Sequence, residues 1–414
     1  MLHVIGRQMV EIKGHQRVGV IGAGQLGRML LEAADSMGLA AHVLAARSDD
    51  PGALRAKASV RLGDVGDPRV LADFVQDLDV VAFEQESKNP SVLTEVQHHL
   101  TQRGARVNMR PSLAAFAFCS DKLQQKYKLG SSGLPTAPYT ELGSDGAPCD
   151  AWLESLPNTF NQGFVLKWAR SGYDGLGTLF VAPNKFDRDK AERFARVAVE
   201  NRVPLYAEEA IAFVAELAVV AVRGVTGTVA SYPTILTYQT KGVCASACGP
   251  AERLGVSAAV AEAAQQLARE VGALFDLIGT YAVEFFVTAD DRLIINEIAP
   301  RVHNSGHFTL DAAQTSQFEN HWRALLGREL GSMATSPFFG MVNVLGPDGP
   351  AALGGKPFTM SSEGIMSYWY DKRESRPGRK LGHVNVFADS EAEFSQRLSR
   401  AKFAVAEWQE QISC

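Results

Sequence analysis

The order of apolar and polar positions divides the chain into alternating strand-like and helix-like runs. Arg17–Ile21 (RVGVI) is a short apolar strand, followed by Gly22-Ala23-Gly24-Gln25-Leu26-Gly27 and a helix-like run from Arg28 to Met37. Ala41–Leu44 and Asp79–Phe83 repeat the strand pattern, and strands alternating with helical segments predict a parallel α/β layer. Ser112–Gly130 reads as one helix carrying Asp121, Lys122 and Lys126, ended by Gly133-Leu134-Pro135. Strands and glycines dominate from Phe164 to Ala218. Ser257–Leu277 and Ser316–Leu326 have the spacing of amphipathic helices. VEFFV (Val283–Val287) and RLIINEI (Arg292–Ile298) are rich in β-branched and aromatic residues and predict a hairpin turned at Thr288–Asp291. After Phe338 the pattern is of short strands with Gly and Pro turns, then an Ala/Glu-rich helix near Ser390–Gln409.

A chain of 414 residues exceeds one ordinary core. Boundaries near 115 and 335 predict an extension over 1–15, a parallel-sheet domain over 16–115, a central domain over 116–335 and a β-rich C-terminal domain over 336–414. Apolar residues make up 46% and charged residues 21%, the balance of a soluble globular protein. A net charge of −5 argues against a general nucleic-acid or membrane binder. No apolar run approaches the roughly 20 residues of a membrane span, and the first residues lack the apolar core of a secretion signal. Five scattered cysteines fit reduced thiols in the cytoplasm. Cys244 and Cys248 have no partner pair or nearby histidine, which argues against zinc.

The hairpin carries the chemistry. Glu284 and Glu297 stand on its two strands, Asn296 precedes the second acid, and Arg301, His303 and Asn304 follow it. Mg²⁺ takes one or two carboxylates and completes its shell with phosphate oxygens and water. A solvated charged face would explain two acids alone, but not the dense polar run after Glu297. Lys167 ends the strand FVLK, and Gly172-Tyr173-Asp174-Gly175-Leu176-Gly177-Thr178 follows as a glycine-rich flap able to offer backbone N–H groups to a polyphosphate. No Gly-Lys-Ser/Thr follows, so it is not a P-loop. Within YAEEAIAFVAE (Tyr206–Glu216), Glu208, Glu209 and Glu216 could serve a nucleoside pocket or be surface charges. GAGQLG opens a helix as dinucleotide sites do, yet no acid appears after the second strand until Asp49. A substrate loop or a packing turn is the better reading there.

These pieces, in order from about residue 16 to 387, resemble the ATP-grasp superfamily, and within it the N5-carboxyaminoimidazole ribonucleotide synthetases. GAGQLGRML, AFEQES, VLKWARSGYDGLGT, NEIAPRVHNSGH and RPGRKLGHVNV carry the resemblance. It implies an ATP-grasp fold of mixed α/β and α+β character, with a Rossmann-like N-terminal domain, a flap subdomain over about 140–215 and a small β-rich C-terminal domain. The implied activity is ATP- and bicarbonate-dependent carboxylation of aminoimidazole ribonucleotide through carboxyphosphate, with Mg²⁺ or Mn²⁺, in a cytoplasmic homodimer. The competing readings are a formate-using glycinamide ribonucleotide transformylase and a silent nucleotide-binding paralogue. The resemblance assigns Lys122, Lys167 and residues 172–178 to ATP phosphates, Glu208, Glu209, Ala210 and Ile211 to adenine, and Glu216 to ribose. It assigns Glu284 and Glu297 to metal, with Asn296 alongside, and catalysis to Arg301, Lys167 and Asn304. It assigns the ribonucleotide to Gln25, Leu26, Glu86, Tyr173, Asp174, His303, Asn304 and Ser305, and its phosphate to Lys372, Arg379 and Lys380. Two departures bear on grip: Leu176 stands where Arg or Lys is frequent, and Gln239 where a histidine near ATP is expected.

Overall fold

Three sheets carry the fold. The computed structural model describes residues 16–55, 59–85, 90–104, 108–143, 149–170, 172, 177–348 and 357–413. The 1–15 extension, Glu86, Tyr173, Asp174, Gly175 and Leu176 lie outside the described residues.

The first sheet is all parallel, in the order β3-β2-β1-β4-β5, from β1 (Arg17–Ile21), β2 (Ala40–Ala45), β3 (Ser59–Leu62), β4 (Val80–Phe83) and β5 (Asn108–Met109). The helix after β1 begins at Gln25, three residues before the sequence pattern places it. Its glycine turn is shaped by a carboxylate. Gly22 has φ +100, and a Cβ there or on Gly24 would collide with the Glu84 side chain. A Cβ on Gly27 would strike the Gly22 carbonyl. Glu84, buried at 8% exposure, therefore sits where a helix N-terminus would otherwise attract a pyrophosphate. The glycines serve close packing, as one of the sequence alternatives held.

The second sheet is antiparallel, β6-β9-β7-β8, from β6 (Tyr139–Glu141), β7 (Phe164–Trp168), β8 (Thr178–Val181) and β9 (Leu205–Glu209). Two differences from the sequence pattern lie here. The expected Ser112–Gly130 helix is two helices, Leu113–Cys119 and Lys122–Ser131. The Asp121 carboxylate accepts from the N–H groups of Leu123 (3.0 Å) and Gln124 (3.1 Å), a cap that starts a new helix instead of continuing the old one. Arg188–Glu200 is a helix inside the stretch read as strand and glycine. Asp187 caps it, and its fully buried residues are Ala191, Ala195 and Ala198, with Phe194 partly buried against the same core.

The third sheet runs β15-β14-β10-β12-β13-β16-β19-β18-β17. Its strands are β10 (Ala215–Arg223), β11 (Val229–Ser231, paired with β10), β12 (Ile235–Thr240), β13 (Val243–Gly249), β14 (Gly279–Val287), β15 (Leu293–Ala299), β16 (Phe338–Leu345), β17 (Ser361–Ser362), β18 (Ile365–Trp369) and β19 (Lys380–Ala388). The strands after 336 do not form a sheet of their own, because β16 pairs with β13. β14 and β15 are the expected hairpin, with Asp291 in the left-handed region at its turn. No helix among the described residues is long and apolar enough to cross a membrane.

The helix Gln317–Leu325 joins the first and third sheets. Trp322 is fully buried against Val18, Leu30 and Val43, and its indole N–H donates to the Leu30 carbonyl at 2.8 Å. Trp322→Ala should cost about 3–5 kcal/mol, mainly through the cavity it leaves; a thermal melt unchanged from wild type would refute this role.

Candidate active site

The hairpin register places Glu284 opposite Glu297, with an irregularity just after Glu284. The Lys122 ammonium donates to Glu297 Oε2 at 3.0 Å. Burial pushes Glu297 up, but Lys122 and then Lys167 outweigh it and hold the carboxyl below its usual range. Among the described residues Glu284 has no lysine bonded to it, and the Lys122 and Lys380 charges pull it down only weakly. Burial and then the Glu297 charge push it up to about 7. Its neighbour is His303, whose Nε2 lies 3.6 Å from Glu284 Oε1. Burial, then the Arg301 and Lys380 charges, press that imidazole down to about 3, so it is neutral at pH 7 and cannot balance the acid. Two facing carboxylates thus share one directly bonded lysine. A divalent cation fits this excess of negative charge. No group of three or more His, Cys, Asp or Glu among the described residues could hold a metal alone. That suits Mg²⁺, which draws its other ligands from phosphate and water.

A positive centre lies next to this negative one. Glu208 on β9 and Lys126 on the Lys122–Ser131 helix are 3% and 2% exposed, and Lys126 Nζ stands 2.7 Å from Glu208 Oε2. Lys167 on β7 pairs with the other Glu208 oxygen and donates to Asn296 Oδ1 at 3.2 Å. Burial would push Glu208 up, but Lys167 and Lys126 together hold it down to about 2. Burial in turn lowers Lys126. The Glu208 side chain is therefore turned into the lysines, and its backbone pairs within the sheet, opposite Tyr139 on β6 and Val165 on β7. Lys126 is the functional candidate that the sequence reading missed. Its signal was the four-residue spacing from Lys122, which puts both ammonium groups on one helix face.

The remaining candidates divide. Gly177 (φ +75) accepts at its carbonyl from the Trp168 N–H (2.9 Å), and Thr178 pairs with Lys167, so the flap's return strand starts beside the lysine. Gly172 packs close to Gly177, where an added Cβ would come within 3.2 Å of the Gly172 Cα. Glu216 on β10 is raised by burial and lies two residues from Ala218, which pairs with Glu284. Glu209 and Ile211 are partly exposed, and the Ala210 N–H bonds the Gly163 carbonyl at 3.0 Å. Gln239 is exposed beyond the bulge at Tyr238/Gln239. Arg301 donates to the Val302 carbonyl at 3.1 Å. Ser305 Oγ is 2.8 Å from His303 Nδ1, and Asn304 bonds Asn343. Lys372 donates to the Lys380 carbonyl (2.7 Å) and Arg379 to the Glu374 carbonyl (3.0 Å), so the basic cluster is assembled, with Lys380 close enough to depress His303. Gln25 begins its helix, whereas the Leu26 side chain is core packing at 5% exposure and can offer a ligand only its backbone. The acid that the structure sets beside Gly24 is Glu84.

The Glu284 assignment has a stability signature. A carboxyl whose folded pKa is raised stabilises most below its unfolded value near 4.5 and loses that contribution as pH rises through about 7. Glu284→Gln should therefore raise the melting temperature of the nucleotide-free protein at pH 8, by on the order of 1–2 kcal/mol of stability after screening, and change little at pH 5. Equal effects at both pH values would show that the Glu284 carboxyl is not raised.

The ATP-grasp family model matches residues 128–318, the ribonucleotide synthetase preATP-grasp domain residues 15–110, and the phosphoribosylaminoimidazole carboxylase C-terminal domain residues 340–397. The chain is 38% identical over 403 residues to the N5-carboxyaminoimidazole ribonucleotide synthase of Synechococcus elongatus, covering 96% of each. It superposes on the Aspergillus clavatus carboxyaminoimidazole ribonucleotide synthase complexed with ATP with a TM-score of 0.82, at 30% identity over 95% of this chain and 98% of that one. The same fungal enzyme in complex with ADP and 5-aminoimidazole ribonucleotide gives 0.79 at 30% identity over 94% and 99%. With the paired acids, the lysine centre and all three domain matches in one order, the chain belongs to the N5-carboxyaminoimidazole ribonucleotide synthase family, ATP-dependent ligases of the ATP-grasp fold that act in purine biosynthesis.

Proposed function

We propose that this chain uses bicarbonate and a divalent ion, Mg²⁺ by preference, to carboxylate the exocyclic amine of 5-aminoimidazole ribonucleotide. The γ-phosphoryl of ATP passes to a bicarbonate oxygen, giving ADP and carboxyphosphate. The amine then takes the carboxyl carbon, directly or as CO₂, and phosphate and a proton leave. The observation that carries the reading is the Glu284/Glu297 pair facing Lys122, with Lys167 joined to it through Asn296. Phosphoryl transfer asks a protein for positioning and charge neutralisation more than for a nucleophile, and this is what such a cluster supplies.

Glu284 and Glu297 would hold the metal, whose chemistry is to neutralise charge on the transferring phosphoryl group. Lys122 and Lys167 hold phosphate oxygens, and residues 172–178 close over them to exclude water from the short-lived carboxyphosphate. The Glu208–Ile211 backbone borders adenine and Glu216 takes the ribose. Arg301 steadies the charge on carboxyphosphate. Gln25, Tyr173, Asp174, His303, Asn304 and Ser305 meet the ribonucleotide, with Glu86 and the Leu26 backbone. Lys372, Arg379 and Lys380 take its phosphate. Homodimeric assembly and a cytoplasmic location complete the reading; a free thiol at each described cysteine is in keeping with the latter.

ADP release should need both bicarbonate and aminoimidazole ribonucleotide for full rate. Formate with glycinamide ribonucleotide driving ADP release instead would make the chain a transformylase, and tight ATP binding without turnover a silent paralogue. Glu297→Gln should lower kcat on the order of 100-fold or more with the fold intact by circular dichroism; a near-normal rate at saturating Mg²⁺ would remove Glu297 from the ligand set.

A further inference from the structure

We propose that Asn343 is a positioning residue that fixes which way round the Asn304 carboxamide faces the substrate. The inference rests on the reading above, in which Asn304 touches the ribonucleotide. Asn304 stands next to His303, whose ring reaches toward Glu284, and is 8% exposed. Asn343 lies on β16, far along the chain, and is 2% exposed. The two side chains form a closed amide pair. Asn304 Nδ2 donates to Asn343 Oδ1 at 3.0 Å, and Asn343 Nδ2 donates to Asn304 Oδ1 at 2.7 Å.

An amide pair alone does not choose an orientation, because turning both amides over gives the same two bonds. A third contact breaks that symmetry. The second N–H of Asn343 donates to the Cys244 main-chain carbonyl at 2.8 Å. A carbonyl can only accept, so Asn343 must keep its nitrogen on the Cys244 side. Its oxygen then faces Asn304, and Asn304 must answer with its own nitrogen. The orientation is passed from a backbone group on β13 to the active-site amide by acceptor and donor chemistry alone.

The consequence is chemical. Each Asn304 polar atom spends one bonding direction on Asn343, leaving one N–H and one lone pair of Oδ1 for a ligand. Which of them lies on which side is settled before substrate arrives, so no binding energy is used to sort two amide rotamers. The main chain of the same loop is held independently. The His303 N–H donates to Gln317 Oε1 (2.8 Å) and Gln317 Nε2 donates back to the His303 carbonyl (2.7 Å). Loss of Asn343 should thus disturb the Asn304 side chain without releasing the loop.

The test is steady-state kinetics from pH 6 to 9 on Asn304→Ala, Asn343→Ala and Asn343→Asp, with thermal melts of each. Asn343→Ala should lose about 10- to 100-fold in kcat/KM for aminoimidazole ribonucleotide, with KM for ATP little changed. Asn343→Asp is close in shape. When protonated it still accepts from Asn304 on one oxygen and keeps one of the two donations from the other; when ionised that second oxygen faces both the Cys244 carbonyl and Asn304 Oδ1 with no proton to offer. Its activity relative to wild type should rise as pH falls, adding a limb that wild type lacks. A folded Asn343→Asp with the wild-type pH profile, or Asn343→Ala within twofold of wild type while Asn304→Ala is impaired, overturns the positioning role alone. Full activity in Asn304→Ala overturns the contact assigned to Asn304 and the positioning role with it.

Discussion

The Glu208 carboxylate held between Lys126 and Lys167 is the constraint on which the site depends. A buried ion is tolerated only with partners, and removing one member of such a set leaves an uncompensated charge in a low dielectric. The three side chains come from a helix and two strands, so their mutual need locks the Lys122–Ser131 helix against the four-stranded sheet. Lys122 is carried on that helix and Lys167 on that sheet. Their distance from the Glu284/Glu297 pair is set by the salt bridges that Glu208 makes to Lys126 and Lys167.

Charge is sorted across a short distance. The lysine centre sets two cations against the single Glu208 carboxylate, while the acid pair is left short of one positive charge. Burial supplies the second half of this arrangement by keeping His303 neutral beside Glu284. A protonated imidazole there would balance the acid. The two facing carboxylates are instead left with an excess of negative charge, which the protein bears as lost stability at alkaline pH.

Amide side chains do for the backbone what the lysines do for charge. Gln125 accepts from the Ile298 N–H (3.1 Å) and donates to the Ile298 carbonyl (2.9 Å), pinning the residue after Glu297. Gln317 repeats this at His303. Neutral amides can be buried with every bond satisfied and without the desolvation cost of ions. The segment from Glu297 to Ser305 is therefore fixed at both ends although only its first part is a strand.

Local pattern carried most of the architecture. RVGVI, the VEFFV/RLIINEI hairpin and the two long amphipathic helices were legible because each pairs a clear period with turn residues at its ends. The Ser120–Asp121 break was not, since a cap acts through one side chain and leaves the apolar spacing nearly intact. The Arg188–Glu200 helix was missed although its spacing is amphipathic, its fully buried residues being alanines with Phe194 partly buried beside them. Among the candidate residues, Glu284, Glu297 and Lys167 stand within local motifs, so the chain by itself was enough to single them out. Lys126, Glu84 and Asn343 were decided by tertiary structure. Each gains its role only from a partner contributed by a different element, at a separation in sequence over which no periodicity reports: Glu208 for the first, the Gly22–Gly24 turn for the second, Asn304 and the Cys244 carbonyl for the third.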